Sequence, residues 1–119
     1  MTADDITRAL ETDRTVDITT TGRRSGEPRR IEIWIHHLDG RHYITGLPGR
    51  RGWYANLQAQ PEFVLHLKDS AQADLPARAR PVTDPGERRL VLLDLLPGIG
   101  RADQLDTWLA GSPIVEVEL

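Results

Sequence analysis

The chain has 119 residues, a formal net charge of −3 and no cysteine. That length supports one hydrophobic core, and the lack of cysteine excludes disulfides, thiolate metal sites and a cysteine nucleophile. The charged start MTADDITRALE has no apolar run of signal-peptide length, and no segment approaches the roughly eighteen apolar residues of a membrane span, so a cytoplasmic protein is the default expectation.

Asp4 and Asp5 precede Ile6, Ala9 and Leu10, which predicts a short amphipathic helix within residues 1–13. Residues 14–119 read as the remainder of one domain. Val16 to Thr20 is β-prone, and TGRRSGEP is then punctuated as a tight turn. Ile31, Ile33 and Ile35 alternate with Glu32, Trp34 and His36, the period-two signature of a strand whose isoleucine face belongs in the core. Asp39-Gly40 is a hairpin signal, and Arg41 to Thr45 returns as the partner strand.

The loop GLPGRRGW leads to a short helix carrying Trp53 and Leu57, which Pro61 ends. Phe63, Leu65 and Leu67 alternate as another strand, and LPARARPV predicts a further one. Asp84, Pro85 and Glu87 have the spacing of a capping box with proline at the first helical position, so a helix is predicted to about Leu96. A short helix over Ala102–Leu109 and a strand from Ile114 to Leu119 complete the chain. Five or six short, mostly antiparallel strands with a few helices define a mainly β, α+β class: a small barrel with appended helices.

Charge is distributed unevenly. Residues 21–51 hold seven arginines against three acids, whereas both flanking stretches are acidic. Fourteen of the fifteen bases are arginine, the side chain suited to bidentate recognition of phosphate or carboxylate. The patch is short and the protein acidic overall, which argues against nucleic acid as a partner. The four histidines do not form a metal-binding spacing: His36 and His37 point to opposite strand faces, and His42 and His66 lie on other elements. No serine occupies a nucleophile elbow, and the acids show no pairing suited to glycoside chemistry.

The strings TTTGRRSGEPR, IEIWIHHLDGRHYITG, GWYANLQAQPEFVLHL and TWLAGSPIVEVEL, in this order and spacing, resemble the deazaflavin-dependent nitroreductase family, quinone and nitro-compound reductases that use coenzyme F420. The resemblance implies a split β-barrel of the flavin-mononucleotide-binding type, with the deazaflavin in a groove beside it. It assigns Arg23, Arg24, Ser25 and Arg29 to the coenzyme's phosphate and acidic tail. It places Trp34 beside the ring system, Gly46, Leu47, Pro48 and Gly49 in a loop whose backbone approaches the ring, and Trp53 and Asn56 on the helix that follows.

The implied activity is hydride transfer from reduced F420 to a small electrophile such as a quinone, enone or nitro compound. No residue announces itself as the catalytic proton donor, although His36 and His66 are candidates. Two alternatives stay open: a non-catalytic carrier of F420 or a flavin, and an oxidoreductase that uses flavin mononucleotide. Small barrels of this kind often pair, so a homodimer is a further expectation. Two departures bear on the substrate: Leu47 and Pro48 replace the polar and basic pair often found in the glycine loop, and PGIGRADQLDTW carries no tyrosine where nitro-activating members have several.

Overall fold

A computed structural model of the chain describes residues 2–119. Helix α1, Ala3–Thr12, begins with a reciprocal cap in which the Thr2 hydroxyl accepts from the Asp5 N–H and the Asp5 carboxylate accepts from the Thr2 N–H. Strands β1, Thr15–Thr21, and β2, Pro28–Leu38, form the first hairpin. The Asp39-Gly40 turn, with both φ angles positive at 51° and 75°, returns the chain as β3, Arg41–Thr45. Helix α2, Gly52–Ala59, then leads to the hairpin of β4, Glu62–Leu67, and β5, Ala73–Pro81. Helix α3, Pro85–Gly98, a 3₁₀ turn at Ala102–Gln104 and helix α4, Leu105–Gly111, precede the last strand, β6, Ile114–Glu118. Among the described residues no helix is long and apolar enough to cross a membrane.

The strands close a barrel in the order β1-β2-β3-β6-β5-β4, with every neighbouring pair antiparallel. Alternation fills its interior: Val16, Ile18, Ile35, Ile44, Leu65, Leu67, Val115 and Val117 are buried on one face of their strands. Helix α1 adds Ala9 to this core, and α2 adds Leu57. A second cluster lies on the outer wall, where Tyr43 of β3 and Ile114 of β6 pack against Val91, Leu92, Leu95 and Leu96 of α3 and Trp108 of α4.

Two expectations are refined. Helix α3 runs past Leu96 to Gly98, with Pro97 inside its last turn. Asp84 caps it through the Glu87 N–H at 2.9 Å, but the Glu87 carboxylate turns outward to Arg80, so no reciprocal box forms among the described residues. An ion pair with a guanidinium outweighs a bond to one exposed N–H.

The isoleucine face of β2 is also not uniformly core. Ile35 is buried and Ile33 half-buried, whereas Ile31 is 36% exposed, because β2 extends beyond the filled part of the barrel towards the β1–β2 turn.

Candidate functional site

The arginine turn is anchored at both ends. Gly22 and Glu27 close it, the Gly22 N–H donating to the Glu27 carbonyl at 2.8 Å. A side chain at Gly22 would place its first carbon 2.6 Å from Ser25 Oγ and 3.2 Å from the Glu27 carbonyl, so anything larger than glycine would have to displace the Ser25 hydroxyl. Across the turn, Asn56 of α2 is buried and fully engaged. Its Oδ1 accepts from the Arg23 backbone N–H at 3.1 Å and the Arg23 guanidinium at 3.0 Å, while its Nδ2 donates to the buried Thr20 hydroxyl at 3.2 Å.

Two cavities meet at Arg23 and Gly52. The first, about 510 Å³, is walled by Arg23, Arg24, Ser25 and Arg29 of the turn, with Ile31, Trp53 and Asn56 opposite. The second, about 850 Å³, adds Arg50, Arg51 and Arg88 and runs along Gly49, Tyr54 and Gly111. Together they form a groove with six arginines and, among the described residues, no acidic side chain.

Neutralisation inside the protein is minimal. Arg23 bonds Asn56, Arg29 reaches the Ser25 hydroxyl at 3.5 Å, and Arg51 donates to the Leu47 and Pro48 carbonyls. Arg88 donates to the carbonyls of Val82, Trp108, Leu109 and Ser112. Arg24 and Arg50 have no hydrogen-bond or ion-pair partner among the described residues. Such a surface is chemically suited to a polyanion, because clustered guanidinium groups raise the local positive potential and present forked donors to phosphate or carboxylate oxygens.

The predicted residues divide between two places. Directly opposed residues of an antiparallel pair share a face. Ile31 and Arg29 oppose Ile18 and Thr20, so they lie on the interior face and end at the groove. Trp34 has the other parity and stands on the outer wall. There it lines a separate cavity of about 290 Å³ with His36, Gly46, Leu47, Ile99 and Trp108. The four-residue stretch Gly46–Gly49 links the two regions: Gly46 lines the outer cavity, Gly49 lines the groove, and an added Cβ at Gly46 would sit 3.5 Å from the Trp53 ring.

Of the two histidine candidates, His36 borders the outer cavity, and burial, followed by the charges of Arg14 and His37, pushes its imidazole down to about 4. It is therefore neutral near pH 7. His66 is buried elsewhere, with Nε2 2.7 Å from the Thr19 hydroxyl and Nδ1 2.7 Å from Asp74, and it borders none of the cavities described above.

His37 and His42, separate in the sequence reading, meet across β2 and β3 with their Nδ1 atoms 2.9 Å apart. The other nitrogen of His37 lies 3.1 Å from the Asp13 carbonyl, to which only an N–H can bond, so in the neutral tautomer that donates there the His37 Nδ1 accepts from His42 Nδ1–H. Among the described residues no group of three or more potential ligands is arranged to hold a metal ion.

Sequence reasoning missed Arg50, Arg51 and Arg88 as groove residues. The first two stand in the quoted loop GLPGRRGW, and their number alone signalled a second basic cluster. Arg88 lies far along the chain on α3, half-buried, and only the packing of α3 against α4 brings it to the groove.

Comparisons with known proteins agree with this geometry. Residues 2–96 match the model of the F420H(2)-dependent quinone reductase family. No curated protein matches the chain in sequence. Among solved structures, the chain is similar to an F420-H2 dependent reductase, FDR-A, at 22% identity over 89% of this chain and 95% of that one, with a TM-score of 0.58. It is similar to a protein described as a domain-swapped dimer at 22% identity, 89% and 81% coverage and a TM-score of 0.64. It is also similar to a putative pyridoxamine 5′-phosphate oxidase from Listeria innocua at 9% identity, 96% and 90% coverage and a TM-score of 0.71. The barrel thus has the fold of the flavin-mononucleotide-type split barrels, as expected from the sequence.

Proposed function

The chain belongs to the F420H(2)-dependent quinone reductase family, and on that premise we propose that it reduces a small electrophile, a quinone before an enone or nitro compound, at the expense of reduced F420. F420 is its cofactor. The observation that carries the reading is the groove of six arginines without an acid, which fits the phosphate and acidic tail of this coenzyme.

Arg23, Arg24, Ser25 and Arg29 would hold the phosphate, and Arg50, Arg51 and Arg88 would extend the cationic wall along the tail. The Gly46–Gly49 loop, with Trp53 on one side and Trp34 on the other, would border the ring. When bound, the reduced coenzyme supplies the hydride. The chain supplies position and an apolar wall: Trp34, Leu47 and Trp108 would be covered by a bound acceptor, and the neutral His36 offers a ring N–H to an acceptor oxygen. Asn56 fixes the Arg23 guanidinium before the ligand arrives, which lowers the ordering cost of binding.

Similarity to a domain-swapped dimer supports a homodimer, which light scattering tests against a 13.4 kDa monomer. The function itself is tested by titrating F420 and flavin mononucleotide in competition and then offering the reduced complex a panel of quinones, enones and nitro compounds. Preferential F420 binding with quinone-dependent oxidation supports the reading. Tighter flavin binding, or F420 binding without turnover of any acceptor, contradicts it.

A further inference from the structure

The outer cavity has a chemistry of its own. Trp34 and Leu47 are 46% and 49% exposed, a large apolar surface for two neighbouring side chains to show to water, and Trp108 and Ile99 complete an apolar wall. Arg101 is set into this wall. Its backbone N–H donates to the Leu96 carbonyl at 2.8 Å, which fixes the start of its side chain at the end of α3.

Among the described residues its guanidinium makes one bond, to Gln104 Oε1 at 3.2 Å, and the same oxygen accepts the Trp108 indole N–H at 3.2 Å. Gln104 thus aligns the cation and the indole against one another. A guanidinium has five N–H donors, and here most of them are unspent. Among the described residues no carboxylate lies within ion-pair distance of Arg101 and no acid lines the cavity. On the exposed side of Trp34, the Arg14 guanidinium lies 5.0 Å from the centre of the ring.

We propose that this cavity is the acceptor pocket and that it selects acceptors combining an apolar ring with a carboxylate or comparable anionic group, with Arg101 as the counterion. The proposal rests on the coenzyme reading above, because it is the Gly46–Gly49 loop, shared by the cavity and the groove, that would bring acceptor and coenzyme together. Ring and anion have separate sites: the apolar portion lies against Trp34, Leu47 and Trp108, and the anion takes the unused guanidinium donors. A neutral quinone gains the first contact only.

The test uses the intact protein without coenzyme, with Trp34 and Trp108 as reporters. Quenching of tryptophan fluorescence is titrated with 1,4-naphthoquinone-2-carboxylate and with its methyl ester. The carboxylate is expected to bind about ten-fold tighter, within the range of a charge-assisted hydrogen bond. Arg101→Gln is expected to abolish that preference by weakening the carboxylate alone, and Arg101→Lys to retain part of it.

Equal affinity of the two probes for the wild type, parallel weakening of both in Arg101→Gln, or no quenching by either overturns the proposal. An F420 titration separates the two readings. Carboxylate selectivity that survives in a protein unable to bind F420 sinks the coenzyme assignment and leaves the anion site standing, whereas F420 binding without carboxylate selectivity does the reverse.

Discussion

The side-chain oxygen of Asn56 accepts two hydrogen bonds from Arg23, one from the backbone N–H and one from the guanidinium, and so ties helix α2 to the arginine turn. Because Asn56 is buried and also holds Thr20, its replacement by alanine strands three polar groups. Asn56→Ala is expected to cost about 1–3 kcal/mol of stability and to weaken F420 binding as well. Urea unfolding and fluorescence titration measure the two losses. Asn56→Asp still accepts from Arg23 but puts an acid into the groove lining, so it is expected to weaken F420 binding although the anchor is kept; wild-type affinity in this variant would show that the groove's charge does not govern binding.

Arg88 is a groove arginine with a structural task. It donates to four backbone carbonyls, three of them from α4 and the residue that ends it. The Leu109 carbonyl lies in the last turn of α4, where intrahelical donors run out, whereas the Trp108 carbonyl also accepts from the Ser112 N–H and hydroxyl. Arg88→Ala is expected to lower stability by about 1–3 kcal/mol, and lysine cannot span the same set with its single ammonium. Melting curves in which Arg88→Lys matches the wild type would contradict this.

Gly46 separates a coenzyme role from a folding role. A methyl group there meets its nearest neighbour, the Trp53 ring, at 3.5 Å, an ordinary contact, so Gly46→Ala is expected to leave the melting temperature nearly unchanged. If the coenzyme ring approaches this backbone, the same methyl group lowers F420 affinity by five-fold or more, on the order of 1 kcal/mol. Unchanged affinity would move the ring away from the loop.

Acid is expected to destabilise the fold before its carboxylates titrate. His36 has a folded value of about 4, below the ordinary 6.5, chiefly through burial. As pH falls through the window from 6.5 to 4, the unfolded chain binds a proton that the folded one refuses, so stability drops, by up to about 3 kcal/mol for a shift of this size. Burial lowers His42 as well, which acts in the same direction. Urea midpoints between pH 7 and 5 are expected to fall more steeply for the wild type than for His36→Gln. Parallel slopes would mean that His36 is freely protonated in the fold.

The barrel was largely legible because its signals are local. Alternation at Ile31–Ile35 and Phe63–Leu67, and a two-residue turn at Asp39-Gly40, each report on the residues that carry them. What alternation could not report is where a strand leaves the core. Ile31 and Ile35 look equivalent in sequence, yet one is buried and the other borders the groove, because their surroundings depend on where β1 and α2 end.

The site was legible only in part for a related reason. The turn arginines are contiguous and form one patch, but Arg88 arrives through helix packing, and His37 meets His42 through strand register. Trp34 and the turn lie close in sequence, yet strand parity sends them to opposite faces of the sheet.

The groove's affinity for F420, measured as a function of salt in the wild type, Arg24→Ala and Arg50→Ala, tests the central claim most directly. Neither side chain has a partner to lose among the described residues, so the fold is expected to be indifferent to both changes. Each substitution is expected to weaken F420 by about five- to a hundred-fold at low salt, corresponding to about 1–3 kcal/mol, and the wild type is expected to lose more affinity than either variant as salt rises. Equal F420 affinity in all three proteins across the salt range would contradict the account, leaving the six arginines as a solvated surface.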